Sequence, residues 1–122
     1  HAVEDKEAEF DQSPPGTIGL ETALAAVLTY VVDPGLLSLS RAIEAMSTIP
    51  ARILGAAGHG GPIEPGRPAN LVAFDPGAAW VVEPPFASKS RNSAFLGTTL
   101  RGRVIHTLYR GDPVVADGKA QR

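Results

Sequence analysis

The organisation of this sequence changes once, near Gly55, and that change limits the folds open to it. Before it, apolar residues recur at helical spacing. Leu20, Leu24, Val27, Leu28 and Val31 form one stripe of a helix predicted over residues 19–32. Asp33-Pro34-Gly35 stops that helix. Ser38 is a good N-cap for a second helix running to Met46, with Leu39, Ile43 and Met46 inward and Arg41 and Glu44 toward water. Thr48 caps a third, short helix with Pro50 in its first turn, Ile53 and Leu54 as buried anchors and Gly55 at its end. Residues 1–16 read as a loop that Ser13-Pro14-Pro15-Gly16 stiffens and turns.

After Gly55 the pattern is different. Glycine and proline crowd residues 56–69 around His59 and Ile63, a loop with room for one short strand. Leu71-Val72-Ala73-Phe74 reads as a buried strand and Trp80-Val81-Val82 as another. Residues 100–109 are β-rich, and Gly111 with Asp112 marks a hairpin turn into Val114-Val115. No internal repeat is visible. Helices first and strands second make more sense as the tail of one structure joined to part of another than as a self-contained domain.

Composition narrows the function more than the fold. The 122 residues suffice for one domain, and 43% hydrophobic with 20% charged residues argues against disorder. A net charge of −2 gives no basic footprint for nucleic acid or for a membrane surface. The longest apolar stretch, Leu20 to Val32, is interrupted by Glu21, Thr22 and Thr29 and is too short to span a bilayer. Glu4, Asp5, Lys6, Glu7 and Glu9 do not make a signal-peptide pattern. The absence of cysteine removes disulfides, thiolate zinc sites and a cysteine nucleophile, and fits a cytoplasmic location.

The histidines His1, His59 and His106 lie far apart without ligand spacing, so no metal site can be read from them. His59 sits in Gly58-His59-Gly60-Gly61, which has neither the strand-loop-helix context nor the lysine of a phosphate loop and reads as surface. His106 lies within a predicted strand as a packed or edge residue. Arg110-Gly111-Asp112 are ordinary turn residues. Lys89, Arg91, Arg101 and Arg103 read as a solvated basic face.

Six segments, in order, resemble the bacterial type I dihydroorotases of the amidohydrolase superfamily. His1-Ala2-Val3-Glu4-Asp5-Lys6-Glu7 looks like the continuation of the family's Asp-His-Ala-Pro-His strand end, with His1 as the final histidine. Pro15-Gly16-Thr17-Ile18-Gly19-Leu20-Glu21-Thr22-Ala23 looks like its active-site loop and the start of its last barrel helix. Ser47 to Gly55 resembles the segment leading out of the barrel, and Ile63 to Val72 the return into a small β-domain. The most family-specific stretch is Phe86-Ala87-Ser88-Lys89-Ser90-Arg91-Asn92-Ser93-Ala94-Phe95-Leu96-Gly97, after which Leu100 to Val104 matches the closing strands. Asn70 and Ile49 depart from the superfamily, where many members carry aspartate and asparagine at those positions.

The resemblance implies an α/β architecture: residues 1–55 as the C-terminal end of a (β/α)8 TIM-type barrel, then residues 56–122 as the C-terminal part of a small flanking β-domain. It implies zinc-dependent, reversible hydrolysis of dihydroorotate to N-carbamoyl-aspartate in pyrimidine biosynthesis. The family's zinc ligands and catalytic aspartate lie upstream of His1, so the chain is expected to be a portion of a longer polypeptide, inactive by itself and partnered by the remainder. A terminal histidine is by itself an ordinary exposed residue; the resemblance gives His1 a contact with the substrate carboxylate. Pro15 and Gly16 read locally as a turn, and the resemblance makes their backbone groups face the dihydroorotate ring. Candidate assemblies are a homodimer or a complex with aspartate transcarbamoylase. The alternatives are a non-catalytic dihydroorotase-like scaffold subunit, a hydantoinase- or allantoinase-type enzyme, and a free-standing β-rich interaction module.

Overall fold

Alanine-rich sequence after Thr22 and β-branched sequence after Asn70 place helices and strands on the two sides of Gly55, as the apolar spacing predicts. The computed structural model describes residues 3–121. Its elements are α1 (Val3–Lys6), α2 (Ala23–Val27), α3 (Leu39–Ile43), α4 (Ile49–Ile53), β1 (Leu71–Val81), β2 (Thr99–Tyr109), β3 (Asp112–Ala116) and β4 (Lys119–Ala120). The strands form an antiparallel sheet in the order β1-β2-β3-β4.

The helical half differs from expectation at its start, where Val3–Lys6 in the expected loop form α1, and at its joints. α2 begins at Ala23 and runs on through a π-helical turn, Leu28–Val32, closed by the Asp33 N–H on the Leu28 carbonyl. Leu20 lies outside it in a turn and is 98% exposed, so the apolar stripe begins a turn later than its spacing suggests. Ser38 does cap α3, its hydroxyl accepting from the Arg41 N–H at 3.3 Å. The second and third helices are one continuous run, because a π-helical turn, Glu44–Thr48, joins α3 to α4. Thr48 is itself helical and caps nothing. Pro50 has no N–H to give the carbonyl four residues back, and the wider turn before it carries the chain past that gap.

Ile53 and Leu54 are exposed, not the buried anchors the pattern predicts, and Leu39 and Met46 are also largely outward. The buried contact of this run is Ala42. Periodicity identifies an apolar face, whereas burial depends on what lies across from it. A small alanine marks the closest approach here.

The sheet half differs as well: residues 56–69 hold no strand, and β4 is an addition to the expected strands. The two predicted strands at 71–74 and 80–82 are a single long strand, β1, interrupted where Asp75 pairs with Arg103 but Ala79 pairs with Arg101. Residues 76–78 bulge out, and the Asp75 carboxylate caps the bulge by accepting from the Gly77 and Ala78 N–H groups at 2.8 and 3.2 Å. Val72 is exposed and Leu71 and Phe74 only half-buried, because β1 is an edge strand. The β2–β3 hairpin turns at Arg110 and Gly111, in agreement with the turn residues there.

The two halves meet over a small core. Ala25, Val82 and Leu100 are buried together, with Trp80, Phe86 and Phe95 packed against them. Leu28 is fully buried against the backbone of Gly102, whose carbonyl accepts the Trp80 indole N–H at 3.0 Å. The Arg101 N–H, on the edge of β2 that β3 leaves uncovered, bonds to Thr29 Oγ1 at 2.8 Å. A helix side chain thereby satisfies a strand edge.

Candidate functional site

Phe86 and Phe95 both reach the core, so the chain between them is tethered at each end while residues 87–89 and 91–92 remain exposed. This strap lies across the loop that leads into α2. At one end the Glu21 carboxylate accepts from the Ala87 and Ser88 N–H groups at 3.0 and 3.1 Å. At the other, the Asn92 carbonyl accepts from the Ile18 N–H at 2.8 Å and from the Thr17 hydroxyl at 2.7 Å. The same hydroxyl accepts from the Ala94 N–H at 3.0 Å. Ile18 and Ser93 pair as a short parallel bridge. A gap of about 10 Å³ between loop and strap has room for at most one water.

The loop bends at Pro15 and Gly16. Gly16 has φ of +120°, a conformation that side-chain-bearing residues rarely adopt, and a Cβ there would meet nothing within 4 Å. Its carbonyl is held twice, by Asn92 Nδ2 at 2.7 Å and by Lys6 Nζ at 3.0 Å. Lys6 also donates to the Pro14 carbonyl, which ties the end of α1 to the loop. The peptide between these two held carbonyls is that of Pro15 and Gly16. Both residues are exposed, and among the described residues nothing engages the Pro15 carbonyl or the Gly16 N–H.

Of the residues predicted for the site, Pro15 and Gly16 therefore stand together on a braced, open turn. His1 lies outside the described residues. Lys6, Thr17, Glu21 and Asn92 shape the turn, and sequence reasoning assigns them no role. Their one signal is membership of three separately recognised segments, and the contacts between loop and strap join residues more than 60 positions apart. The sequence marks residues 86–97 as family-specific without a structural reason; the structure shows that they brace the loop.

The other candidate residues lie elsewhere. His59 stacks on Tyr109 with ring centroids 6.4 Å apart, and the Arg110 guanidinium sits 5.4 Å from the same Tyr109 ring. His106 lies on β2, half-exposed and 4.0 Å from Asp117. A wider cleft of about 600 Å³ lies along the sheet, lined in part by Leu24, Trp80 and Val104, and includes neither Pro15 nor Gly16. Among the described residues no group of three or more His, Cys, Asp or Glu could hold a metal ion.

The model of a family described as the amidohydrolase family matches residues 15–114, most of the chain and all of the loop and strap. The chain belongs to the amidohydrolase family. Within it the chain is similar to dihydroorotases over nearly its whole length. It is 45% identical to that of Streptomyces coelicolor over 120 residues, which is 98% of this chain and 28% of that protein. It is 42% identical to that of Mycobacterium tuberculosis over the same length, again 98% and 28%. Among solved structures it superposes on the L-hydantoinase (dihydropyrimidinase) of Arthrobacter aurescens with a TM-score of 0.83 and 32% identity, covering 98% of this chain and 28% of that one. The D-hydantoinase (dihydropyrimidinase) of Thermus sp. gives 0.81 and 27%, covering 99% and 27%. This amidohydrolase chain thus spans little more than a quarter of the length of the relatives it matches. Its helices and four-stranded sheet reproduce one portion of the hydantoinase structures.

Proposed function

We propose that this chain is the C-terminal portion of a zinc-dependent dihydroorotase, interconverting dihydroorotate and N-carbamoyl-aspartate by reversible hydrolysis of a cyclic amide. In this reading residues 1–55 end a (β/α)8 barrel and residues 56–122 supply the C-terminal part of the small β-domain beside it. The active-site loop then sits at the C-terminal face of the barrel, where the catalytic groups of such barrels gather.

The observation that carries the reading is the Pro15–Gly16 peptide, exposed and braced, with one acceptor and one donor unengaged among the described residues. A cyclic amide presents the complementary pair. Its ring N–H can donate to the Pro15 carbonyl, and a ring carbonyl can accept from the Gly16 N–H. The absence of a side chain at Gly16 lets a flat ring approach the backbone closely. His1 adds an N–H donor for the substrate carboxylate. The described residues do not fit a zinc site, so this chain's own contribution is to bind and orient the ring. Zinc belongs to the remainder of the polypeptide.

The 45% identity to a dihydroorotase, against 32% to an L-hydantoinase, supports the dihydroorotase reading within the family. The close superposition on hydantoinases favours one second reading, a hydantoinase-type enzyme, because a hydantoin ring offers the same amide edge. Among the described residues no helix is long and apolar enough to cross a membrane. A cytoplasmic enzyme, working as a homodimer or alongside aspartate transcarbamoylase, completes the proposal.

The test uses the complete zinc-loaded protein that carries this chain, assayed in parallel with dihydroorotate, hydantoin and allantoin. The expected result is a kcat/KM for dihydroorotate higher by roughly two orders of magnitude, since the substrate carboxylate is a charged group the other rings lack. A preference for hydantoin would establish the second reading instead. Turnover of none of them would leave the scaffold subunit as the function.

A further inference from the structure

We propose that Asn92 and Lys6 are positioning residues that aim the Pro15–Gly16 peptide at the substrate ring. This rests on the dihydroorotase reading and adds to it how the loop is aimed. The Pro15 ring fixes its own φ, leaving Pro15 ψ and the two Gly16 torsions as the soft angles of the turn. Those angles are set by where the flanking carbonyls are held. Lys6 Nζ donates to the Pro14 carbonyl on one side. Asn92 Nδ2, at 2.7 Å, and Lys6 Nζ, at 3.0 Å, donate to the Gly16 carbonyl on the other. With both neighbours fixed, the intervening peptide cannot rotate freely, and its carbonyl and N–H keep one direction.

Asn92 is itself immobilised. Its backbone carbonyl accepts from Thr17 and Ile18, and the strap that carries it is pinned by Phe86 and Phe95 in the core. The amide therefore acts from the β-domain side onto a loop that leads into α2. Without it, a glycine at φ of +120° with open space around it has no steric reason to keep its conformation. Pre-setting the peptide before the substrate arrives removes an ordering cost from binding.

The experiment compares Asn92→Ala and Lys6→Met with the unmodified complete, zinc-loaded protein. Each variant keeps the backbone bonds of its segment and removes only the side-chain donor. Asn70→Ala is the control for a merely structural effect: Asn70 also bridges two segments, through the Gly58 carbonyl and the Arg110 N–H, each at 2.9 Å, but touches no part of the loop. The expected result is a KM for dihydroorotate raised roughly three- to tenfold in both test variants, with kcat within about twofold and zinc content unchanged. Asn70→Ala should lower the melting temperature and leave KM alone. An unchanged KM in both test variants, or a KM in Asn70→Ala that rises with its melting loss, overturns the positioning role while the dihydroorotase reading stands. No dihydroorotate turnover by the unmodified protein overturns both.

Discussion

Gly16 and Gly102 share a left-handed backbone, with φ of +120° and +96°, and otherwise occupy opposite surroundings. Gly102 is buried in β2 where the helix crosses the sheet, and a Cβ there would fall 2.2 Å from Leu28 Cδ1. Leu28 cannot swing aside, because it is itself 2% exposed and packed. Gly16 is exposed on the braced turn, with nothing within 4 Å of the missing Cβ. One glycine lets two elements approach; the other has open space beside it among the described residues. The helix–sheet junction is closed by packing, whereas the loop is held by hydrogen bonds at its flanks and left open at its centre.

The largest expected effect lies at the junction. Gly102→Ala should destabilise the complete protein by about 2–5 kcal/mol, from the left-handed backbone and the overlap with Leu28 together. Chemical denaturation would measure it. A loss below about 1 kcal/mol would mean that the junction is as open as the loop, and the contrast would collapse. Gly16→Ala should cost only about 1–2 kcal/mol, the backbone share alone, because no atom is displaced. Its signature should be kinetic, a raised KM for dihydroorotate out of proportion to the stability loss. A matching loss of stability with normal KM would place Gly16 with the scaffold. The smallest effect belongs to the Asp33–Arg101 pair at 3.4 Å, which also joins helix to sheet but on a face where both side chains are more than a third exposed. Asp33→Asn should change stability by less than about 0.5 kcal/mol, since water and salt screen such a pair. A larger loss would show that charge, and not only packing, holds the junction.

Much of the local structure is legible without coordinates. Ser38 reads as a cap because a hydroxyl before an apolar run satisfies an orphan N–H, and it does. The hairpin at Arg110 and Gly111 is legible from its turn residues. Pro15 and Gly16 are legible as a turn, and the proposal that they form a site rests on the resemblance to a family. Illegible are the π-helical turn that joins α3 to α4 past Pro50, the bulge that joins two apolar runs into β1, and the exposure of Ile53 and Leu54. Each depends on hydrogen-bond register or on a neighbouring surface, neither of which a window of sequence contains.

The sequence by itself determined where helix gives way to strand near Gly55, and which family those segments belong to. Both are written in short-range patterns: apolar spacing, turn residues and runs of recognisable order. Only the tertiary structure decided that residues 86–97 brace the loop at Pro15 and Gly16. Bonds such as those from Asn92 to Gly16 and from Ala87 to Glu21 join positions far apart along the chain. A side chain's donor finds such a carbonyl only after the core of Ala25, Val82 and Leu100, with Phe86 and Phe95 against it, has brought the two segments together.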